Sequence, residues 1–181
     1  MSKQAKTDRP INKKLSQEIQ QMAALDQKWR AKWGASNFEK LQPKILAIDR
    51  KHTDRLEQII KEYGWPTISL VGKKASNMAW LLAQHASCDL SFQEKCLKLL
   101  KKEVIRKDAT PQNYAYLLDR VRVSKNLPQF FGTQFKQIEH GRMIPFPIYR
   151  AKEVNQRRKK YGLESLEAYN AKILKMHSKR T

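Results

Sequence analysis

The chain is poor in acid, in cysteine and in long apolar runs. Its 181 residues hold 17 Asp and Glu against 37 Lys and Arg, a formal charge of +20. Two cysteines exclude a disulfide scaffold. Six glycines and seven prolines exclude a collagen-like or low-complexity body. No apolar run approaches the roughly 18 residues of a membrane span, so no membrane partner is expected. The opening MSKQAKTDRP is too polar for a signal peptide, which makes the expected location cytoplasmic. The 40% of hydrophobic residues suffices for a core while leaving much of the chain in water.

The positive charge is spread along the chain rather than confined to a tail. Residues 1–44 and 45–140 each carry +6, and residues 141–181 carry +8, densest at Arg157, Arg158, Lys159 and Lys160. Such a field draws polyanions by long-range attraction without reading their sequence. A solvated cationic surface that only keeps the protein soluble has the same composition. Aromatic residues are not interleaved with these basic runs, as they are in many strand-binding surfaces.

The periodicity is mainly helical. Residues 1–10 read as a disordered lead closed by Pro10. From Ile11 the apolar residues Leu15, Ile19, Met22, Leu25, Trp29 and Trp33 recur at steps of three or four, predicting a helix ended near Gly34. A second helix is expected from Pro43 to Gly64, then a loop over 65–72 with a short apolar stretch. A small-residue helix over 75–86 follows. Ser91 and Glu94 have the spacing of a capping box opening a helix to about Lys107. Thr110-Pro111 opens a fifth, to about Arg122.

Val121 with Val123, Phe131 with Thr133 and Phe135, and Ile144 with Phe146 and Ile148 then alternate as in strands, with Asn126 and Gly141 placed for turns. Pro128, Pro145 and Pro147 confine any such strands to edges. A last helix is predicted over 163–175. The expectation is a mainly α protein: one helical domain over 11–176, about six helices, a small β-ribbon within 121–148 and a basic tail over 177–181.

No P-loop, GxGxxG, HExxH, GxSxG or CxxC is present. His85, Cys88 and Cys96 do not supply the three or four ligands zinc needs, so neither metal nor cofactor is called for. His85, in Gln84-His85-Ala86 at the end of the small-residue helix, fits a general base or acid because its ordinary pKa is near neutral. A core histidine bonded to a carbonyl fits equally. Asp119 and Arg120 close the fifth helix as neighbours that point to different sides, and each could pair with Arg30, Asp26, Asp49 or Lys73. Gly132 before Thr133 and Gln134 suits either a close backbone approach to a ligand or a simple bulge.

Five polar words stand in one order: Asp26-Gln27-x-x-Arg30, Gly64-Trp65-Pro66-Thr67, Gln84-His85-Ala86, Tyr116-Leu117-x-Asp119-Arg120-Val121 and Gln129-x-x-Gly132-Thr133-Gln134. Together with Val154-Asn155-x-x-Arg158 and Gly162-Leu163, they resemble a bacterial family of unknown function over roughly residues 19–170. The resemblance implies a small helical domain and brings no activity with it. Asn155 departs from the acidic residue frequent there. Polar words shared in this way suggest a pocket, since buried polar groups are costly unless satisfied.

The leading expectation is a metal-independent hydrolase or transferase acting on a small or phosphorylated substrate. In it His85, Asp119 and Arg120 are catalytic, and Asp26, Arg30, Gln84, Gln129, Gly132, Thr133 and Gln134 bind substrate. The main alternative is a non-enzymatic cationic module that binds nucleic acid or an acidic partner through Arg157, Arg158, Lys159 and Lys160. A small toxin or effector is a further alternative.

Overall fold

The computed structural model describes residues 11–32, 34, 37–138 and 142–177. The lead over 1–10, Trp33, the turn at Gly141 and the tail over 178–181 lie outside these residues. Seven α-helices and one two-stranded antiparallel sheet make the described chain mainly α. Its contacts gather it into two compact units, Met1–Thr110 and Pro111–Thr181.

Unit 1 is a helical bundle of α1 (Lys13–Arg30), α2 (Phe38–Tyr63), α3 (Ile68–His85) and α4 (Leu90–Ile105). The Asn12 side chain caps α1 by accepting the Leu15 N–H, and Leu15, Ile19 and Ala23 are buried at steps of four. The same face carries Asp26 into the interior, one helical turn beyond Ala23. Helix α2 starts five residues before Pro43, which therefore lies in its second turn, where it removes one backbone donor. Its buried stripe, Ile45, Asp49, His52, Leu56, Ile59 and Ile60, again places polar groups among apolar ones.

Helix α3 is the centre of the unit. The stretch read as a loop, from Ile68 to Val71, is instead the first turn of this helix, capped by Thr67 accepting the Leu70 N–H. Gly72, at φ 80°, then breaks the helical path before it resumes. Ala75, Ser76, Ala79 and Ala83 are almost wholly buried, and their small side chains let α1 and α2 pack closely against α3. The cap of α4 is Asp89, which accepts the Phe92 N–H and the Ser91 hydroxyl, so the expected Ser91–Glu94 capping box is replaced by a cap two residues earlier.

Unit 2 begins with α5 (Pro111–Ser124), which contains Val121 and Val123. Their alternation is a helical edge and not a strand. The ribbon is shorter than expected: β1 (Phe135–Gln137) pairs with β2 (Met143–Pro145), Phe135 opposite Pro145. A 3₁₀ turn (Ala151–Glu153) leads into α6 (Val154–Lys160), a helix the sequence reading did not anticipate, and α7 (Leu166–His177) follows. Asn155 accepts the Leu166 N–H and donates to Glu167, so at this position it fastens the start of α7. An acidic side chain could accept the same backbone donor.

Candidate functional site

Four charged or titratable side chains meet inside unit 1. Nδ1 of His85, at the end of α3, lies 2.9 Å from Oδ2 and 3.1 Å from Oδ1 of Asp26 on α1. Arg30, one turn along α1, donates from Nε to Asp26 Oδ1 at 3.0 Å and from Nη2 to Asp49 of α2 at 2.6 Å. Gln27 donates to Asp26 Oδ2 at 2.8 Å. The Asp26 carboxylate is thus held by three side chains in an interior where its own exposure is 2%.

The electrostatics follow from these partners. Burial alone would lift the Asp26 carboxyl, but the hydrogen bond and charge of His85, with help from Gln27 and Arg30, bring it down to about 2. Asp49 goes the other way, because burial outweighs its bond to Arg30 and raises it above the ordinary carboxylate range. Burial works against the charge on Arg30, yet its bonds to Asp49 and Asp26 hold the guanidinium more firmly protonated than usual. His52 is 5% exposed, its Nδ1 has no hydrogen-bond partner among the described residues, and burial depresses its pKa.

Asp49 also stands on the wall of a hollow of about 250 Å³, lined further by Arg50, Thr53, Asp54, Ala86, Cys88 and Asp89. The hollow thus shares a carboxylate with the cluster and begins at the residue after His85. Its lining brings three carboxylates and one guanidinium together. Among the described residues no three or more His, Cys, Asp or Glu side chains are grouped to hold a metal ion. Gln84 is buried, and its backbone carbonyl accepts from the Gln93 side chain at 3.0 Å.

Unit 2 uses its polar words differently. The Asp119 carboxylate, 0% exposed, accepts from the backbone N–H of Phe130, Phe131 and Thr133 and from the Thr133 hydroxyl. Burial lifts this carboxyl above its ordinary range against the pull of those donors. Gln129 closes the same turn, accepting the Gln134 N–H and donating to the carbonyls of Gln134 and Phe146. Gly132 sits at φ 70°, where any side chain is strained, and a Cβ there would also press on the Leu166 Cδ1 methyl at 2.7 Å. Asp119, Gln129, Thr133 and the Gln134 backbone are therefore occupied by the chain itself. Arg120 follows Asp119 on α5 and is partly buried.

The basic run divides along α6. Arg158 is 0% exposed and donates to the carbonyls of Phe131 and Glu164, while its guanidinium lies 4.9 Å from the Tyr169 ring centre. Arg157 donates to the carbonyls of Phe130, Tyr149 and Arg150. Lys159 and Lys160 face solvent. As a polyanion contact Arg158 is displaced by its own burial, a consequence of helical geometry that a linear run of four cations conceals.

Asp49 and His52 were absent from the expected site, although they lie on the same apolar stripe of α2 as Ile45 and Leu56. An acid and a histidine interrupting such a stripe are a signal of a buried polar cluster.

Fold and site together define a mainly helical protein with an interior histidine–carboxylate–guanidinium cluster. The model of the family of unknown function DUF6624 matches residues 13–177, and the chain belongs to that family. No curated protein and no solved structure matches it.

Proposed function

We propose that unit 1 carries the active site of an enzyme, a hydrolase or transferase acting on a small substrate, with His85 as general base. The observation that carries this reading is the attachment of Asp26 to Nδ1 of His85, which leaves Nε2 as the ring nitrogen available for proton transfer. A carboxylate in that position fixes the tautomer with hydrogen on Nδ1 and stabilises the imidazolium formed when Nε2 takes a proton. With its carboxyl held down to about 2, Asp26 stays ionised throughout the neutral range. Arg30 and Gln27 hold that carboxylate in place and are positioning residues, as is Asp49 through Arg30.

The lining of the neighbouring hollow favours a neutral or cationic substrate over a phosphorylated one, since Asp49, Asp54 and Asp89 would repel a phosphate more strongly than Arg50 would attract it. In this reading Asp119 shapes unit 2 rather than taking part in chemistry.

The test is a thermal-shift screen of amino acids, amines, amides, esters, nucleosides and sugar phosphates at moderate salt, followed by turnover assays on the ligands found. A ligand that raises the melting midpoint of the wild type, is turned over, and is no longer turned over by a folded His85→Gln variant supports the reading. Turnover that survives both His85→Gln and Asp26→Asn overturns it.

A further inference from the structure

Unit 2 carries a second feature, which the basic run joins through Arg157 alone. Phe130 and Tyr149 stack with ring centres 5.1 Å apart and planes 27° from parallel. Arg122 lies over the Phe130 ring at 4.6 Å, and Arg150 lies over the Tyr149 ring at 5.3 Å. Four planar groups from three places in the chain thus adjoin one another in the order Arg122, Phe130, Tyr149, Arg150. The backbone holds them there: Gln129 N–H donates to Pro147 and Tyr149 N–H donates to Gln129, so the segments bearing the two rings run side by side. Arg157 fastens both segments, donating to the carbonyls of Phe130 and Tyr149.

This arrangement becomes more open toward its far end. Phe130 is partly covered, Tyr149 is 40% exposed, and the Arg150 side chain is 63% exposed. Arg150 is also a non-glycine residue at φ 41°, a strained conformation of the kind that persists where the surrounding structure enforces it and that collects at ligand sites. The acid beside it, Glu153, is 3.9 Å from Arg150 and itself half exposed, an ion pair that water and salt readily loosen.

We infer that the Tyr149–Arg150 end of this stack is a platform for the unpaired bases of single-stranded nucleic acid. A base has two aromatic faces that pack on tyrosine and on guanidinium, and its phosphates need cations nearby. Residues 111–181 supply them, with 15 Lys and Arg against 5 Asp and Glu. Base pairs in a duplex keep their faces covered by their neighbours, so a duplex would meet only the charge. An acidic peptide would likewise meet only the charge. This surface belongs to unit 2 and its function does not depend on His85.

The experiment is fluorescence anisotropy with labelled oligouridylate and oligothymidylate of about ten nucleotides in about 50 mM salt, where phosphate contacts are strong. The full chain is expected to bind either strand more tightly than a duplex of the same length. Tyr149→Ala should weaken binding by about fivefold or more, because the Arg150 guanidinium on which the base packs loses the ring that seats it, and Tyr149→Phe should bind like the wild type. Arg150→Ala should weaken binding and lower the salt dependence by about one ion. Melting curves check that Tyr149→Ala remains folded. Equal affinity for strand and duplex overturns the inference. So do displacement of the strand by polyglutamate at equal charge, undiminished binding by folded Tyr149→Ala, and no binding at low salt.

Discussion

The Asp26 carboxylate and the His85 imidazole are 2.9 Å apart across 59 positions of sequence, and their bond joins the C-terminal end of α1 to that of α3. Arg30 extends the connection from α1 to α2 through Asp49. One polar cluster therefore ties together three helices, so its loss affects the bundle as well as any chemistry at His85.

Asp26 should contribute to the acid limb of stability. Its folded pKa of about 2 lies below the ordinary value of 3.8, so its contribution is fully present above about pH 4 and is lost as pH falls through 2. The shift corresponds to about 2 kcal/mol, at 1.36 kcal/mol per unit. Urea denaturation between pH 5 and 2 should show that loss in the wild type and a flatter profile in Asp26→Asn. At neutral pH, Asp26→Ala removes one partner of a buried ion pair and should cost about 3 kcal/mol.

His52 should act in a different window. Burial depresses its pKa, so the unfolded chain takes up a proton that the folded chain resists, and stability falls as pH drops below about 6.5. Asp26 and Asp49 favour that proton and soften the effect, whereas Lys51 and Arg30 oppose it. Asp49 and Asp119, whose carboxyls burial raises, act with the opposite sign, so the His52 contribution is read as the difference between wild type and His52→Leu from pH 7 to 5. Parallel pH profiles of the two proteins over that range would show that His52 contributes nothing there.

Asp119 should behave as a structural residue. Replacement by alanine strands four donors, three of them backbone N–H groups that water reaches poorly. Each unsatisfied buried donor costs about 1–3 kcal/mol, and partial relaxation of the turn should leave a net loss of about 4 kcal/mol. Thr133→Val strands none of the three amides and should cost about 1 kcal/mol. Amide exchange at Phe130, Phe131 and Thr133 provides the direct check: all three should lose protection in Asp119→Ala, and only modestly in Thr133→Val.

Much of the architecture was legible because it depends on local rules. The Thr110-Pro111 step marks a helix start by chemistry that needs no distant partner, and the Leu15–Ile19 spacing states its own buried face. The expectation fails where one local pattern fits two elements. Val121 and Val123 alternate like a strand, yet α5 runs on through both to Ser124. Ile68 to Val71 looked like a loop because Gly72, a residue that breaks a helix only locally, follows them. The family resemblance was legible because polar words in fixed order are specific even when each is weak. What each word does was not: Asp26 and His85 face one another, while Asp119 and Gln129 face their own backbone, and sequence order alone does not distinguish these outcomes.

Gly132 offers the sharpest separation of two costs at a single position. An alanine there must adopt φ 70°, which costs about 1–2 kcal/mol by the clash of Cβ with its own backbone. Its Cβ must also come to 2.7 Å from Leu166 Cδ1 and 3.0 Å from Ile148 Cδ1, an overpacking that adds about 1–3 kcal/mol. Only the second cost depends on Leu166. In a Leu166→Ala background the Gly132→Ala change should therefore cost about 1 kcal/mol less than in the wild type, a coupling that a double-mutant cycle by denaturant unfolding can resolve. Gly162→Ala is the control: it is also left-handed, at φ 68°, but its Cβ meets the end of the flexible Gln112 side chain at 2.6 Å, which can swing aside. Its cost should stay near the backbone strain plus the lost bond from Gln112 to the Gly162 carbonyl, and it should not change when Leu166 is shortened. Equal costs for Gly132→Ala with and without Leu166 would mean that the turn moves as a body, and that Asp119 holds its shape less firmly than its four bonds imply.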